Sequence, residues 1–184
     1  MIHHYTSIKN LALILKTGKI RFSRMDLVDD VKEGEGLPSA LEKVAYISCW
    51  TEDSEENIAL WKMYTPNMRG VKISLPKNPF KIFNIKAGSS SGAHIAASDS
   101  VSHLPPEELF NDTRIMFPFF DTEEKDGNTS WFYKKVIYRD DYRDLYKNLI
   151  TYNPETRTNE IRAHFEIGRY KSIKWEFQRE SRFT

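Results

Sequence analysis

The segment WEFQRESRF at 175–183 carries the side chains whose types and spacing best suit chemistry. Strict alternation of polar and aromatic residues predicts a β-strand, in which alternate side chains share a face. The polar face holds Glu176, Gln178, Glu180 and Arg182, and the aromatic face holds Trp175, Phe177 and Phe183. The polar face fits a solvated surface with a Glu180–Arg182 ion pair, or a strand that lines a polar cleft. The residue pattern alone leaves both interpretations open.

The opening segment MIHHYTSIKNLALILKTG offers a second group of polar residues. Ile2–Tyr5 predicts a short strand, and the hydroxyl of Thr6 or Ser7 can cap a following helix. The helix has one apolar face and a left-handed stop at Gly18. The segment is therefore either an ordinary capped helix or a strand that presents His4 and Thr6 to a ligand.

The histidines and the single cysteine give no metal or nucleophile motif. No two of the five histidines stand at the i, i+4 spacing of a helical zinc site. His3 and His4 are adjacent, so on a strand they point to opposite faces. Cys49 lies within the apolar run AYISCW, which favours a buried structural thiol. We predict no metal site.

An acidic run forms the remaining chemical candidate. Asp29, Asp30 and Glu33 offer oxygen ligands of the kind that Mg²⁺ prefers, as in a phosphodiesterase or nuclease. Such runs are more often solvated loops.

These candidates need a scaffold that alternates strands and helices. Besides the segments above, the patterns predict strands at 19–23, 44–50, 70–75 and 132–138 and helices at 57–64, 140–149 and 158–170. A Ser- and Gly-rich stretch at about 86–104 predicts a mobile loop. We predict one α+β domain spanning residues 1–184.

Composition limits the cellular compartment and the binding partners that we expect for the protein. The formal net charge of the 184 residues is +1, so any nucleic acid would have to bind a local patch. One cysteine excludes an internal disulfide and fits a reducing compartment. No apolar stretch approaches the ~20 residues of a membrane helix, and no signal peptide opens the chain. We predict a cytoplasmic protein that does not bind a membrane.

The stretch HYTSIKNLALILKTGKI resembles the first strand and helix of the ADP-ribosyltransferase superfamily, in its poly-ADP-ribose polymerase branch. That branch has a His, a small residue, Ser or Thr, a later Asn, Ile-Leu and a helix-ending Gly. The matching positions are His4, Thr6, Asn10, Ile14, Leu15 and Gly18. Tyr5 stands where the branch has glycine. The resemblance implies a split mixed β-sheet core with flanking helices and NAD as substrate.

Blocks along the whole chain resemble an uncharacterised bacterial and phage family, domain of unknown function family 2971. These blocks are HYTS, FSRMDLVDDVKE, ISCWTED, LWKMYTPNMRGVKISL and WEFQRESR. The family's Asn-Asp-Pro stands where this chain has Asp29-Asp30-Val31, and its other motif positions correspond to Glu33, Trp61, Tyr64, Gly70, Trp175, Phe177, Gln178, Glu180 and Arg182. This resemblance implies no activity, and it only weakly suggests a toxin or phage-defence role.

Together the resemblances imply an NAD site. ADP-ribosyltransferases carry Glu-x-Glu or Gln-x-Glu, whose second Glu is catalytic, and Gln178-Arg179-Glu180 has that form. A carboxylate bonded to the ribose 2′-hydroxyl would stabilise the oxocarbenium character that develops when nicotinamide leaves. The implied NAD-binding residues are His4, Tyr5, Thr6, Phe22, Ser23 and Tyr64. The strands 2–5 and 175–183 must then lie close, so that His4 and Glu180 reach one ribose.

Three functions follow as expectations. The first is an NAD-dependent mono-ADP-ribosyltransferase or NAD glycohydrolase, whose acceptor is an unknown protein, nucleic acid or water. The second is a non-enzymatic module that binds a nucleotide or a partner through the same cleft. The third is the Mg²⁺-dependent nuclease built on Asp29, Asp30 and Glu33. The sequence does not predict an oligomeric state.

Overall fold

The computed structural model describes residues 1–30, 32–34, 37, 39–88, 90–91, 94–95, 98–102, 133–146, 149–155, 157–161 and 166–184. Two compact units divide the chain: Met1–Lys77 with Trp131–Thr184 form the first, and Asn78–Ser130 form the second. Helices combined with mainly antiparallel sheets confirm the α+β class. Among the described residues, no helix combines the length and apolar character needed to cross a membrane.

A six-stranded sheet organises the first unit. Its strands are β1 (Ile2–Thr6), β2 (Ser23–Arg24), β3 (Tyr46–Thr51), β4 (Val71–Leu75), β9 (Tyr133–Lys135) and β14 (Glu180–Phe183). The order is β4-β1-β3-β14-β9, and β2 pairs with the other end of β3. All these pairings are antiparallel. One strand, β3, separates β1 from β14.

The register aligns three residues across the centre of the sheet. Thr51 of β3 is the Cα partner of both His3 and Glu180. Directly opposed residues of antiparallel strands have their side chains on the same face. The site face of the sheet, defined as the face that carries Glu180, therefore also carries His3 and Thr51. Neighbouring His4 points to the opposite face.

Helix α1 (Ile8–Thr17) follows the predicted cap and stop. The Ser7 hydroxyl accepts the Asn10 N–H at 3.1 Å, and Gly18 closes the helix with φ of +63°. None of its ten residues is buried by the described part of the chain. Ile8 is 62% exposed, so the helix form was predicted correctly although its apolar face is not packed into the described core.

The short helices α2 (Ser39–Glu42) and α3 (Ile58–Tyr64) lie on either side of β3 in sequence. Asn57 caps α3 by accepting the N–H groups of Ala59 and Leu60, and its amide donates to the Phe177 carbonyl at 2.7 Å. One side chain therefore begins α3 and joins it to the closing segment of the chain.

The closing segment is not one strand, so the predicted strict alternation is wrong in its first half. Ile173–Gln178 forms a 3₁₀ helix, begun by the Ser172 hydroxyl, and only Glu180–Phe183 forms strand β14. Between them Arg179 adopts a left-handed backbone, with φ of 44°. The strand half lies inside the sheet, between β3 and β9, and all four of its residues are buried.

Several other predicted elements differ from the structure. The predicted helix 158–170 contains β12 (Thr158–Ile161), which pairs with β11 (Ile150–Asn153), and ends at β13 (Tyr170–Lys171), which pairs with β10 (Ile137–Tyr138). The predicted helix at 140–149 is a 3₁₀ helix, Tyr142–Tyr146. The predicted strand at 19–23 shrinks to Ser23–Arg24, and further 3₁₀ turns occupy Met25–Leu27 and Pro66–Met68.

The described residues of the second unit form short antiparallel pairs. Strand β5 (Phe83–Ile85) pairs with β8 (Ser100–Ser102), and β6 (Ser90–Ser91) pairs with β7 (His94–Ile95). Strands β6, β7 and β8 fall within the stretch predicted as a loop. Residues 103–132, which include His103, Trp131 and the start of the predicted strand 132–138, lie outside the described part.

Candidate functional site

Four charged side chains meet on the site face of the sheet. This buried ion cluster comprises Glu33, Lys171, Glu180 and Arg182, which are between 0% and 6% exposed. Their formal charges cancel, as two carboxylates oppose two bases. Charged side chains are rarely this buried unless they are paired, so each charge in the cluster needs a partner of opposite sign.

Arg182 is the centre of the buried ion cluster. Its Nε and Nη2 donate to the two carboxylate oxygens of Glu180 at 2.5 and 3.0 Å. Nη1 and Nη2 donate to the two oxygens of Glu33, the second at 2.9 Å, and Nη1 also donates to the Gly168 carbonyl at 3.0 Å. All five guanidinium N–H donors are thereby used, which fixes both carboxylates in the plane of the guanidinium.

Lys171 joins the carboxylates to the Gln-x-Glu segment. Its Nζ donates to Gln178 Oε1 at 2.7 Å and to Glu180 Oε2 at 3.2 Å, and Glu33 lies at 3.5 Å. The ring of Trp175 covers the ammonium group at 4.7 Å from ring centroid to Nζ. Gln178 and Glu180 therefore converge on one lysine.

A chain of polar contacts runs from the buried ion cluster to the surface. The amide of Gln178 donates to the Tyr64 hydroxyl at 2.8 Å, and that hydroxyl donates to Asp29 at 2.6 Å. Burial, reinforced by Asp29, raises the pKa of Tyr64, so the phenol stays protonated. Asp29 is exposed, and the site thus has a polar path to solvent.

The electrostatics of the cluster keep Glu180 ionised. Burial alone would raise the pKa of its carboxyl, but Arg182 and Lys171 outweigh burial and lower it to about 2. Burial raises the pKa of Glu33, against the opposing effect of Arg182. Cys49, partly buried beside Glu180, has a pKa raised by burial and stays a thiol.

A cleft of about 360 Å³ opens next to Glu180, where β14 begins between β3 and β9. Its lining residues are Glu52, Asp53, Lys135, Val136, Tyr138, Arg179, Glu180 and Ser181. Acids and bases face each other at its rim: Arg179 contacts Asp53 at 2.7 Å and Lys135 contacts Glu52 at 3.3 Å. The Tyr138 hydroxyl accepts the Glu180 N–H at 2.7 Å.

The sequence-predicted catalytic residues Gln178 and Glu180 lie close to Tyr64. The predicted NAD-binding residue His4 does not lie with them. His4 and Thr6 point away from the site face, as shown by the register of β1. The His4 imidazole contacts the Cys49 carbonyl at 2.8 Å and packs on the Trp50 ring at 5.1 Å, and burial lowers its pKa. The expected approach of His4 and Glu180 to one ribose is therefore wrong, because they lie on opposite faces of the sheet.

The other predicted wall residues have structural partners instead. Tyr5 does lie on the site face, but it is buried, its hydroxyl accepts the Asn57 N–H at 3.2 Å and its ring meets Trp61 edge-on. Ser23 pairs with Ile47 of β3. Ile47 is four residues from Thr51, the partner of Glu180, which places Ser23 ~13 Å from Glu180 along the strand direction. Phe22 precedes Ser23 outside the strand. Neither residue is positioned next to Glu180, contrary to the predicted pocket.

The acidic run is used for internal contacts. Asp29 accepts from Tyr64, and Glu33 is held by Arg182. Within the described ranges, no three carboxylate, imidazole or thiol groups are arranged to hold a metal ion. Two of the three predicted magnesium ligands, Asp29 and Glu33, are therefore engaged in contacts within the chain, and the Asp30 carboxylate accepts the Lys32 N–H at 3.1 Å.

Comparison with known proteins supplies no identity. No protein-family model matches the chain, and no curated protein or solved structure matches it. Both family resemblances remain predictions. The structure does bring together segments that the second resemblance singled out: Asp29, Glu33, Tyr64, Gln178, Glu180 and Arg182 belong to one connected network.

Lys171 is the network residue that the sequence interpretation missed. It comes directly after the stretch 158–170 that was predicted as a helix, and no element was predicted for it. Its burial depends on partners contributed by the 3₁₀ helix and by β14, as well as Glu33 from a distant loop. No local pattern marks such a lysine.

Proposed function

We propose that the chain is an NAD-dependent mono-ADP-ribosyltransferase or NAD glycohydrolase in which Glu180 is the catalytic carboxylate. The observation that carries the proposal is an ionised carboxylate held rigidly by Arg182 and Lys171, in a residue that borders an open cleft. A preorganised charge of this kind stabilises a developing positive charge without reorganisation during the reaction.

The proposed reaction breaks the bond between C1′ of the ribose and the nicotinamide nitrogen. The bonding electron pair leaves with nicotinamide, and C1′ acquires oxocarbenium character, which the Glu180 carboxylate stabilises. A nucleophile on the acceptor, or water, then forms a bond to C1′ and releases its proton. The products are free nicotinamide and either an ADP-ribosylated macromolecule or ADP-ribose.

The cleft suits a substrate that carries both signs of charge. NAD has a cationic pyridinium ring and an anionic pyrophosphate, and the cleft presents both Glu52 and Asp53 as well as Lys135 and Arg179. In this proposal the cleft residues, rather than His4 and Thr6, form the NAD-binding wall. Gln178 is hydrogen-bonded to Lys171 and Tyr64 and lies near Asp29. In this proposal it holds that part of the site in place.

A second candidate is the non-enzymatic binding module, favoured by how completely the network is satisfied. Every N–H of Arg182 is bonded within the chain, and only 6% of Glu180 is exposed. A cluster built only to hold segments together would have these properties. The cleft would then bind a nucleotide or partner without turnover.

The deciding experiment measures nicotinamide release from NAD by chromatography, with and without cell lysate. NAD labelled in its adenylate portion reports whether the label stays free or joins protein or nucleic acid. We expect Glu180→Gln to lower turnover by ~10²–10³ without a matching loss of NAD affinity.

Glu33→Gln is the matched control, because Glu33 shares the Arg182 fork but does not line the cleft. It should lose far less turnover than Glu180→Gln. Equal losses in both variants would assign the effect to the cluster as a whole. Binding of NAD without nicotinamide release in the parent would favour the module.

A further inference from the structure

Arg179 has the least expected backbone conformation next to the candidate site. Its φ and ψ are 44° and 51°, in the left-handed region that residues other than glycine rarely adopt. It stands between Gln178, the last residue of the 3₁₀ helix, and Glu180, the first residue of β14. The chain therefore changes from helix to strand within this one residue.

Three contacts hold Arg179 in this conformation. Its N–H donates to the Glu176 carbonyl at 3.0 Å, and its carbonyl accepts the Thr51 hydroxyl at 2.9 Å. Its guanidinium donates to Asp53 at 2.7 Å. A strained backbone conformation persists when its surroundings determine it in this way.

The consequence of the turn lies at Lys171. Gln178 leaves a helix and Glu180 enters a strand, yet both side chains reach the same ammonium group, at 2.7 and 3.2 Å. In a continuous helix, residues two apart point in different directions, so the helix has to end between Gln178 and Glu180 for both side chains to reach Lys171. The left-handed residue is what brings the two side chains to one point.

We propose that Arg179 is a positioning residue whose left-handed backbone, more than its guanidinium, makes Gln178 and Glu180 converge on Lys171. Its importance for turnover rests on the proposed function, but the convergence itself does not.

A substitution series separates backbone from side chain. Arg179→Gly removes the guanidinium and favours the left-handed turn, whereas Arg179→Val removes the guanidinium and disfavours the turn. Arg157→Val is the matched control, because Arg157 is also left-handed, with φ of 55°, but lies in the turn between β11 and β12.

The readout is the side-chain amide of Gln178 in ¹H–¹⁵N NMR, assigned from its loss in Gln178→Glu. This amide is bonded at both ends in the parent, to Tyr64 and to Lys171, which should give a shifted and slowly exchanging signal. We expect Arg179→Gly and Arg157→Val to retain it. Arg179→Val should speed its exchange at least about tenfold, the consequence of a strained left-handed residue.

An unchanged signal in Arg179→Val would overturn the proposal. So would equal disruption in the glycine and valine variants, which would assign the effect to the guanidinium–Asp53 contact. Nicotinamide release by the same proteins is a separate measurement: its absence in the parent would refute the proposed function while the amide signal still tests Arg179. If Arg179→Val fails to fold, loss of the signal in the folded Arg179→Gly still overturns the proposal.

Discussion

Replacing Glu180 with glutamine tests whether opposite charge holds the buried ion cluster together. Glutamine has nearly the volume of glutamate but no charge. Arg182 and Lys171 would then share Glu33 as their one remaining cluster carboxylate, and a neutral cluster would become positive. An uncompensated buried charge is strongly destabilising, since neither solvent nor a counter-ion reaches it.

The magnitude follows from the environment of the carboxyl group. Its pKa falls from the ordinary 4.5 to about 2 in the folded chain, because Arg182 and Lys171 outweigh burial. With about 1.4 kcal/mol for each pKa unit, the ionised carboxylate contributes on the order of 3 kcal/mol to the free energy of unfolding. Removing one partner of a buried ion pair typically costs about 3–5 kcal/mol, which agrees.

The sign of the pH dependence is also fixed. A carboxyl group whose pKa is lower in the folded than in the unfolded state contributes its stability above the unfolded pKa. The contribution is lost as pH falls from 4.5 towards 2. The parent should therefore lose stability over this interval more steeply than Glu180→Gln.

The assay is urea unfolding, followed by tryptophan fluorescence at pH 7 and at steps down to about pH 3. Asp141→Asn is the control, because it removes a carboxylate from an exposed pair with Arg139. It should leave the unfolding midpoint unchanged. A midpoint for Glu180→Gln equal to that of the parent at pH 7 would refute the idea that charge holds the buried ion cluster together.

Three further substitutions probe the scaffold. Gly70→Ala should destabilise the chain by about 1–3 kcal/mol or more in urea unfolding, since its Cβ would lie 2.4 Å from the Thr6 carbonyl oxygen; a stable alanine variant would contradict this packing. Burial lowers the pKa of Lys134 from the ordinary 10.5 to about 7, so the parent should gain stability as pH rises from 7 towards 10.5, and Lys134→Met should abolish that slope; a persisting slope would assign it to another group. Asn57→Ala should cost about 1–2 kcal/mol, because it removes the α3 cap and the bond to Phe177, and Asn57→Asp should restore the cap alone; equal stability of the two variants would argue against capping.

Local rules predicted the elements whose signals are local. Ser7 and Gly18 delimit α1, and apolar runs mark β3 and β4, because caps and strand patterns act over a few residues. The same local rules gave a wrong prediction for the closing segment. Its alternation suggested one strand, but Ser172 begins a 3₁₀ helix there, and contacts with Thr51 and Asp53 hold the turn at Arg179.

The candidate site was predictable only in part for a related reason. Gln178, Glu180 and Tyr64 carried recognisable motifs, and they do meet. The face on which His4 points depends on its register against β3, and no local pattern reports that register. Lys171 is buried by Gln178 and Glu180, which follow it in the closing segment, and by Glu33 from a distant loop. Its role could be recognised only from the folded chain.

The interior position of β14, between β3 and β9, affects how the chain folds during synthesis. Thr51 at the end of β3 and Arg179 before β14 are 128 residues apart, yet they are bonded in the sheet. At the usual ~5–20 residues per second, ribosomes need ~6–26 s to make the intervening chain. During that interval one edge of β3 has no β14 to pair with, and exposed strand edges associate with other chains. The nascent protein should therefore depend on chaperones for this interval, and slower translation of the segment should lower its soluble yield.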